Sequence, residues 1–113
     1  MSLTFDQLSR AHHARQEDSF RHTRSLTLGD WACALAGEVG EACNYIKDLR
    51  REQTVRSVGA SEMKLYREMI AKELANVVSY TELLAMQLGI DLGKAVTEKF
   101  NEVSDCIDSE VKL

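Results

Sequence analysis

The chain has 113 residues, a length that fits one domain with a modest core and no separate regulatory module. Its composition, with 44% apolar and 28% charged residues, is typical of a globular protein and excludes a disordered or fibrous chain. The net charge of −4 argues against general nucleic-acid binding, because affinity for a phosphate backbone requires clustered Lys and Arg side chains. We therefore expect a single domain over residues 1–113 with no nucleic-acid partner.

Proline is absent and only six glycines occur, which are too few turn-forming residues for a many-stranded sheet, so the predicted fold class is all-α. The three cysteines are odd in number and form no CxxC pair, which indicates reduced thiols rather than disulfides. No apolar run approaches the roughly 20 residues of a membrane span, and the N-terminal stretch is too polar for a signal peptide. These features predict a cytoplasmic protein with no membrane partner.

The first predicted helix starts at a capping box, in which Thr4 is followed by Gln7, and runs to about residue 20. Its apolar stripe is narrow and consists of Phe5, Leu8, Ala11 and Ala14. Residues 21–29 are predicted to form a connector, in which Thr27 or Asp30 caps the next helix.

The second predicted helix runs from Trp31 to about Arg51 and has the clearest apolar period of the chain, at Leu35, Val39, Ala42, Ile46 and Leu49. Residues 52–60 show no period and are predicted to form a mobile loop, with Ser61 as the next cap.

A third helix is predicted from Ser61 to Leu88, and Gly89 is its C-terminal cap. Its apolar face consists of Leu65, Met69, Leu74, Val77, Val78, Leu84 and Leu88. Asp91 starts a fourth helix, whose buried side consists of Leu92, Ala95, Val96, Phe100, Val103 and Ile107. Four helices with two short connections indicate an antiparallel bundle. Because the first helix has too little apolar surface to complete a core, we expect helix faces to be shared in a homodimer or homotetramer.

Acidic and amide side chains recur at a spacing of three on the two central helices. Glu38 and Glu41 share one face of the second helix, and Glu73 and Asn76 repeat this spacing on the third. Glutamate pairs on helices are usually solvated surface. However, Gly37 and Gly40 lie inside the same strong helix, where each costs roughly 0.5–1 kcal/mol relative to alanine, so packing or a ligand should explain them.

The runs ALAGEVGEA, KELANVVSYTELLAMQLGIDLGKAV and KFNEVS resemble the MazG-like nucleotide pyrophosphohydrolases over roughly residues 30–104. That family has ExxE on one helix and ExxD on the next, which supply magnesium ligands. The resemblance therefore implies a four-helix MazG-like bundle with Glu38, Glu41 and Glu73 at the metal. Asn76 stands where the family has aspartate, so its amide oxygen could coordinate a hard cation but brings no negative charge.

The resemblance also implies an activity: cleavage of a nucleoside or deoxynucleoside triphosphate into its monophosphate and pyrophosphate, with nucleotide-pool sanitation as the role. Lys99 and Asn101 are similar to the family's basic and amide residues near the substrate, and Tyr80 occupies the place of an aromatic near the nucleoside. Trp31 could stack on a base, although a tryptophan at a helix start is more often a core or interface anchor.

Crowded carboxylates beside apolar residues repel one another and lose hydration, and protonation or a bound cation relieves this. Oxygen-only ligands favour Mg²⁺, or Mn²⁺, over zinc. We expect water to attack the α-phosphorus while Lys47 or Lys99 holds the charge of the leaving pyrophosphate. Any one of Glu38, Glu41 and Glu73 could be the base, since ligand and base are both carboxylates.

Two other protein classes fit parts of the pattern. A di-iron bundle requires Glu-x-x-His pairs, and the sequence has no histidine after His22. A helical interaction protein that has lost its activity at Asn76 is the main alternative. A zinc site of His12, His13, His22 and Cys33 lacks structural-site spacing, so we interpret these histidines as solvated. The basic residues Lys47, Arg50, Arg51 and Arg56 are either a solvated helix end or an electrostatic guide for substrate.

Overall fold

The computed structural model describes residues 2–19 and 21–113, and within these ranges all regular secondary structure is helical. The all-α prediction is confirmed. The elements are α1 (Phe5–Asp18), a 3-10 helix (Arg21–Ser25), α2 (Leu28–Val55), α3 (Ala60–Gln87) and α4 (Leu92–Cys106). The predicted end of the first helix, at about Phe20, lies outside the described residues.

Side-chain caps define three of the helix starts. Thr4 and Gln7 form the predicted capping box at α1, and Thr27 forms a second one with Asp30 at α2. Asp91 caps α4 by accepting a hydrogen bond from the backbone N–H of Lys94 at 3.0 Å. Gly89, which follows α3, has a φ of +64°, a conformation that favours glycine. These predictions are confirmed because capping depends on side chains within one helical turn.

The predicted loop over 52–60 is wrong at both ends. The second helix continues to Val55, and α3 already starts at Ala60, so only residues 56–59 connect the two helices. Ser61 lies inside the first turn of α3 and is not its cap. Arg56 explains the tight connection, because its guanidinium contacts Glu52 at 3.1 Å and Glu62 at 2.5 Å and so ties both helix ends together.

The 3-10 helix and the start of α2 at Leu28 also correct the predicted connector 21–29. Residues 21–25 have no apolar period, but Thr23 is buried and accepts a hydrogen bond from Gln16 Nε2 at 3.2 Å. Short polar segments of this kind follow tertiary contacts that no sequence period reveals.

The structure divides into two compact units, the terminal unit (Met1–Ser25 with Glu82–Leu113) and the hairpin unit (Leu26–Thr81). The predicted single-domain organisation over residues 1–113 stays a prediction. Among the described residues, no helix is both long enough and apolar enough to span a membrane.

The terminal unit buries mainly polar side chains, namely His12, Gln16, Thr23, Glu82 and Ser104, beside Leu83 and Ala85. The predicted apolar stripe of α1 is therefore wrong as a buried face, since Phe5, Ala11 and Ala14 are exposed while His12 and Gln16 are covered. His12 is only 2% exposed, which also corrects its interpretation as a solvated histidine.

The hairpin unit consists of α2 and most of α3, which run antiparallel. Contacts pair Trp31 with Tyr80, Glu38 with Asn76, and Arg56 with Glu62. Residues nearer the N-terminus of α2 therefore contact residues nearer the C-terminus of α3. Several positions of the predicted apolar faces remain exposed in this chain, including Val39, Ile46, Leu65, Leu74 and Val78. The hairpin unit thus sets the register of the acidic stripes but leaves apolar surface on its helices uncovered.

Candidate active site

The two predicted acidic stripes meet across the helical hairpin. Asn76 Nδ2 on α3 donates a hydrogen bond of 3.2 Å to Glu38 Oε2 on α2, and the two residues are 38 positions apart in the chain. Glu73 lies one turn before Asn76 and is hydrogen-bonded to Glu38 as well. The antiparallel register therefore brings together three of the four residues that were predicted to bind metal.

The carboxyl groups of Glu38 and Glu73 are hydrogen-bond partners. This hydrogen bond raises the pKa of the Glu73 carboxyl above its ordinary value, and partial desolvation and the charge of Glu38 add to the effect. The Asn76 amide opposes the shift, and the charge of Glu41 makes the smallest contribution. A proton or a divalent cation would each relieve the repulsion between these two half-buried carboxyl groups.

Asn76 contributes a hydrogen-bond donor to this cluster. A carboxylate has only acceptor oxygens, so the amide must present its NH₂ group to Glu38. Its carbonyl oxygen is then the remaining group that could reach a cation. An aspartate at this position would instead add a further negative charge to Glu38 and Glu73.

The donor set fits magnesium by its chemistry. Within the described ranges, no group of three or more His, Cys, Asp or Glu side chains is arranged to hold a metal ion. Magnesium, however, is commonly bound by one or two carboxylates together with waters and substrate phosphates. Glu38 and Glu73 meet that requirement, whereas the exposed Glu41 lies at the margin of the cluster.

Two aromatic side chains lie further along the hairpin from the acidic cluster. The rings of Trp31 and Tyr80 are 6.3 Å apart and tilted by 50°. Trp31 is 1% exposed, and its buried Nε1 has no hydrogen-bond partner among the described atoms. This burial favours the anchor interpretation of Trp31 over base stacking, while the half-buried Tyr80 remains more accessible.

The predicted phosphate-binding residues are distributed over both units. Lys47 belongs to the hairpin unit, is exposed, and forms no ion pair with the described residues. Lys99 and Asn101 belong to the terminal unit. Lys99 pairs with Glu102 at 2.6 Å, and the Asn101 amide is hydrogen-bonded to the backbone of Leu113. A role for Lys99 or Asn101 beside the acidic cluster stays a prediction.

The basic residues after Lys47 are mostly paired with nearby acids. Arg51 contacts Asp48 at 2.8 Å, and Arg56 is held by Glu52 and Glu62. These pairs neutralise much of the positive charge at this end of the hairpin, which weakens the case for electrostatic guidance of substrate.

A second group of carboxyl side chains lies in the terminal unit and was missed at the sequence level. Asp6, Glu82 and Asp91 line a pocket of about 180 Å³ together with Ser9. Glu82 is 4% exposed, and its Oε2 has no hydrogen-bond partner among the described atoms. The available signal was an acid inside the apolar run TELLAM, where a solvated helix face is not expected.

No protein-family model matches the chain, and no curated protein matches it either.

Proposed function

We propose that the chain is a magnesium-dependent nucleoside triphosphate pyrophosphohydrolase of the MazG-like kind, with its metal site on the hairpin unit. One observation carries the proposal: Glu38 and Asn76, 38 residues apart, are in hydrogen-bond contact, and Glu73 joins them. Carboxyl groups held this close together are a suitable site for a divalent cation, because a cation removes their repulsion.

The role of each residue follows from the chemistry of its side chain. Glu38 and Glu73 would hold the cation, and the Asn76 carbonyl or Glu41 would complete its protein ligands. When bound, magnesium, or manganese, neutralises charge on the triphosphate and polarises a water. One of the three glutamates accepts a proton from the water that attacks the α-phosphorus, as the α–β anhydride bond breaks and pyrophosphate leaves. Lys47 is available to balance the charge on pyrophosphate, whereas Lys99 must first exchange its contact with Glu102.

Asn76 also favours a second candidate, a MazG-like helical interaction protein without catalysis. The amide NH₂ donates to an oxygen of Glu38, and Glu73 is a hydrogen-bond partner of Glu38 and Asn76, so the members of the cluster have one another as partners without metal. In that case the exposed apolar residues of α2 and α3 would serve association alone.

A screen of ribo- and deoxyribonucleoside triphosphates with magnesium separates the two candidates, provided that monophosphate and pyrophosphate are both measured. The enzyme should release the two products in equal amounts and should stop in excess chelator. Full turnover in chelator would refute the metal-dependent mechanism. Absence of both products with every triphosphate, for a folded protein, would favour the interaction protein.

We further propose a homodimer or homotetramer in which the exposed apolar positions of the hairpin are covered. Val39 and Ile46 on α2 and Leu65 on α3 are 42%, 45% and 59% exposed, which is unusual for regularly spaced apolar residues of a helix. Sedimentation should give at least twice the monomer mass at micromolar concentration. Ile46→Glu should shift the protein toward monomer, while Asn44→Glu, an exposed change on the same helix, should not. A monomeric wild-type protein with cooperative unfolding would contradict this proposal.

A further inference from the structure

The chain reverses direction after α4, and residues 108–113 then form a segment that we call the strap. The residue after the helix cap, Asp108, has a φ of +56°, in the left-handed region that favours glycine. The backbone N–H of Ser109 donates to the carbonyl of Ser104 at 2.8 Å, and that of Asp108 donates to the carbonyl of Asp105 at 3.3 Å. These two hydrogen bonds form a Schellman motif, which ends the helix and fixes the direction in which the strap leaves it.

The strap is held at its far end by the side chain of Asn101 on α4. The backbone N–H of Leu113 donates to Asn101 Oδ1 at 2.9 Å, and Asn101 Nδ2 donates to the backbone oxygen of Leu113 at 3.3 Å. Lys112 adds an ion pair with Asp105, and its Nζ donates to the backbone oxygen of Asn101 at 3.5 Å. Both the oxygen and the nitrogen of the Asn101 amide are therefore engaged by one residue of the strap.

Only polar contacts at the surface hold the strap among the contacts described above. Val111 and Leu113 are 64% and 65% exposed, so the strap buries little apolar surface. Exposed hydrogen bonds and ion pairs contribute little to stability, because water competes for the same groups. The left-handed backbone of Asp108 also opposes closure. The strap can therefore open while α4 remains folded.

We infer that the strap is an autoinhibitory segment, in which Leu113 competes with a nucleoside triphosphate for the side-chain amide of Asn101. The inference rests on the proposed function and on the contact between Asn101 and substrate that the sequence predicts. A ligand that uses the Asn101 amide must displace Leu113, because the strap already occupies its donor and acceptor. The closed strap thus lowers the apparent affinity for the triphosphate in proportion to the fraction of molecules in which Asn101 is free.

The first test is Leu113→Pro in the full chain, which removes the N–H that Asn101 Oδ1 accepts and leaves Asn101 itself unchanged. The KM for the triphosphate selected by the screen should fall about threefold, whereas kcat should stay the same. Glu110→Gln changes an exposed residue of the strap and should keep the wild-type KM. An unchanged or higher KM in Leu113→Pro would overturn the inference and leave the proposed hydrolase standing.

The second test measures the exchange of the Leu113 amide proton with water by NMR in the wild-type protein. Millimolar triphosphate with magnesium should accelerate this exchange, because Asn101 no longer accepts from Leu113, and magnesium chloride alone should not. If no triphosphate of the screen is hydrolysed but one accelerates the exchange, the hydrolase proposal fails and the strap still controls nucleotide binding. If none accelerates the exchange, the strap does not compete with nucleotide and the inference fails.

Discussion

The acidic cluster on the hairpin and the buried Glu82 place glutamate side chains in two different environments, although Glu73 and Glu82 lie on the same long helix. Glu73 and Glu38 are half-buried, are hydrogen-bond partners of each other and both contact the Asn76 amide. Glu82 is more deeply buried and keeps an oxygen without a partner among the described atoms. Solvent access and partners, and not residue type, therefore decide what each glutamate can do.

This difference predicts different sensitivities. A half-buried cluster with internal partners can bind a cation with little structural change, so its substitutions should affect activity more than folding. A buried, unpartnered carboxylate strains its surroundings, so its substitution should affect folding more than activity.

The largest expected effect is on activity at the hairpin. Glu38→Gln and Glu73→Gln should each lower the rate of pyrophosphate release by about 100-fold or more, because each removes a charged ligand or the base. Circular dichroism should remain unchanged. Glu68→Gln, an exposed change on α3, is the matched control and should retain full activity. An equal loss of activity in Glu82→Gln would contradict the distinction between the acidic cluster on the hairpin and Glu82.

The next effect concerns the neutral member of the hairpin cluster. Asn76→Asp should lower the magnesium concentration for half-maximal activity by at least about tenfold, equivalent to roughly 1.4 kcal/mol, because a charged ligand attracts the ion more strongly. Without metal, the added carboxylate should lower the melting temperature, since it repels Glu38 and Glu73 and loses the donated hydrogen bond. Asn44→Asp controls for charge on the other helix. An unchanged or higher half-saturation point would remove Asn76 from the metal site.

A smaller effect is expected on stability at Glu82. Glu82→Gln keeps the shape of the side chain but replaces a buried carboxyl group by a neutral amide, which is less unfavourable to bury. We expect the free energy of unfolding to rise by about 1 kcal/mol, or roughly 4–8 °C in melting temperature. Denaturant and thermal unfolding, with Glu110→Gln as reference, measure this. A destabilised variant would mean that Glu82 already has its partner in the folded protein.

The smallest effect is a pH dependence from His12 in the terminal unit. Burial lowers the pKa of His12 below its ordinary value, and the charges of Arg15 and His13 contribute. Arg15 can only donate, so at 3.2 Å it donates to Nδ1 and leaves the His12 proton on Nε2. The unfolded chain binds a proton more readily, so stability should fall as pH drops through about 6.5 and continue to fall toward the lowered pKa.

Thermal unfolding between about pH 8 and pH 5 should therefore show a steeper loss for wild type than for His12→Gln. His13→Gln, which changes an exposed neighbour, should behave as wild type. Identical slopes in wild type and His12→Gln would show that His12 is protonated as easily in the folded state as in the unfolded chain.

Local chemistry explains which features could be predicted from the sequence. Thr4, Gly89 and Asp91 were correctly assigned because caps depend on residues one turn away. Helical spacing also predicts that each acidic stripe lies on one face of its helix, although this spacing alone does not pair Glu38 with Glu73. The acidic stripes therefore needed only the antiparallel register of two long helices to meet.

The buried polar residues could not be predicted in the same way. The spacing of apolar residues along a helix identifies the face that should be buried, but it does not predict burial of a polar face such as that of His12 and Gln16. The burial of that face depends on tertiary contacts, here including Thr23 in the 3-10 helix. The extension of α2 to Val55 was missed for a related reason, since Arg56 at its end forms an ion pair with Glu62 on the far side of the connection.

The Arg56 ion pairs lie at the connection between α2 and α3, so a small change in the angle between the helices there moves residues far from the connection by a larger distance. Glu38 lies about 18 helical residues from Arg56, which corresponds to an arm of roughly 27 Å. Opening the two helices by about 10° at the connection would displace the far end by roughly 5 Å, more than the hydrogen-bond distance between Glu38 and Asn76 allows. A substitution as remote as Arg56→Ala can thus separate Glu38 from Asn76 without contacting either residue. The displacement grows with every turn of helix between Arg56 and the acidic cluster.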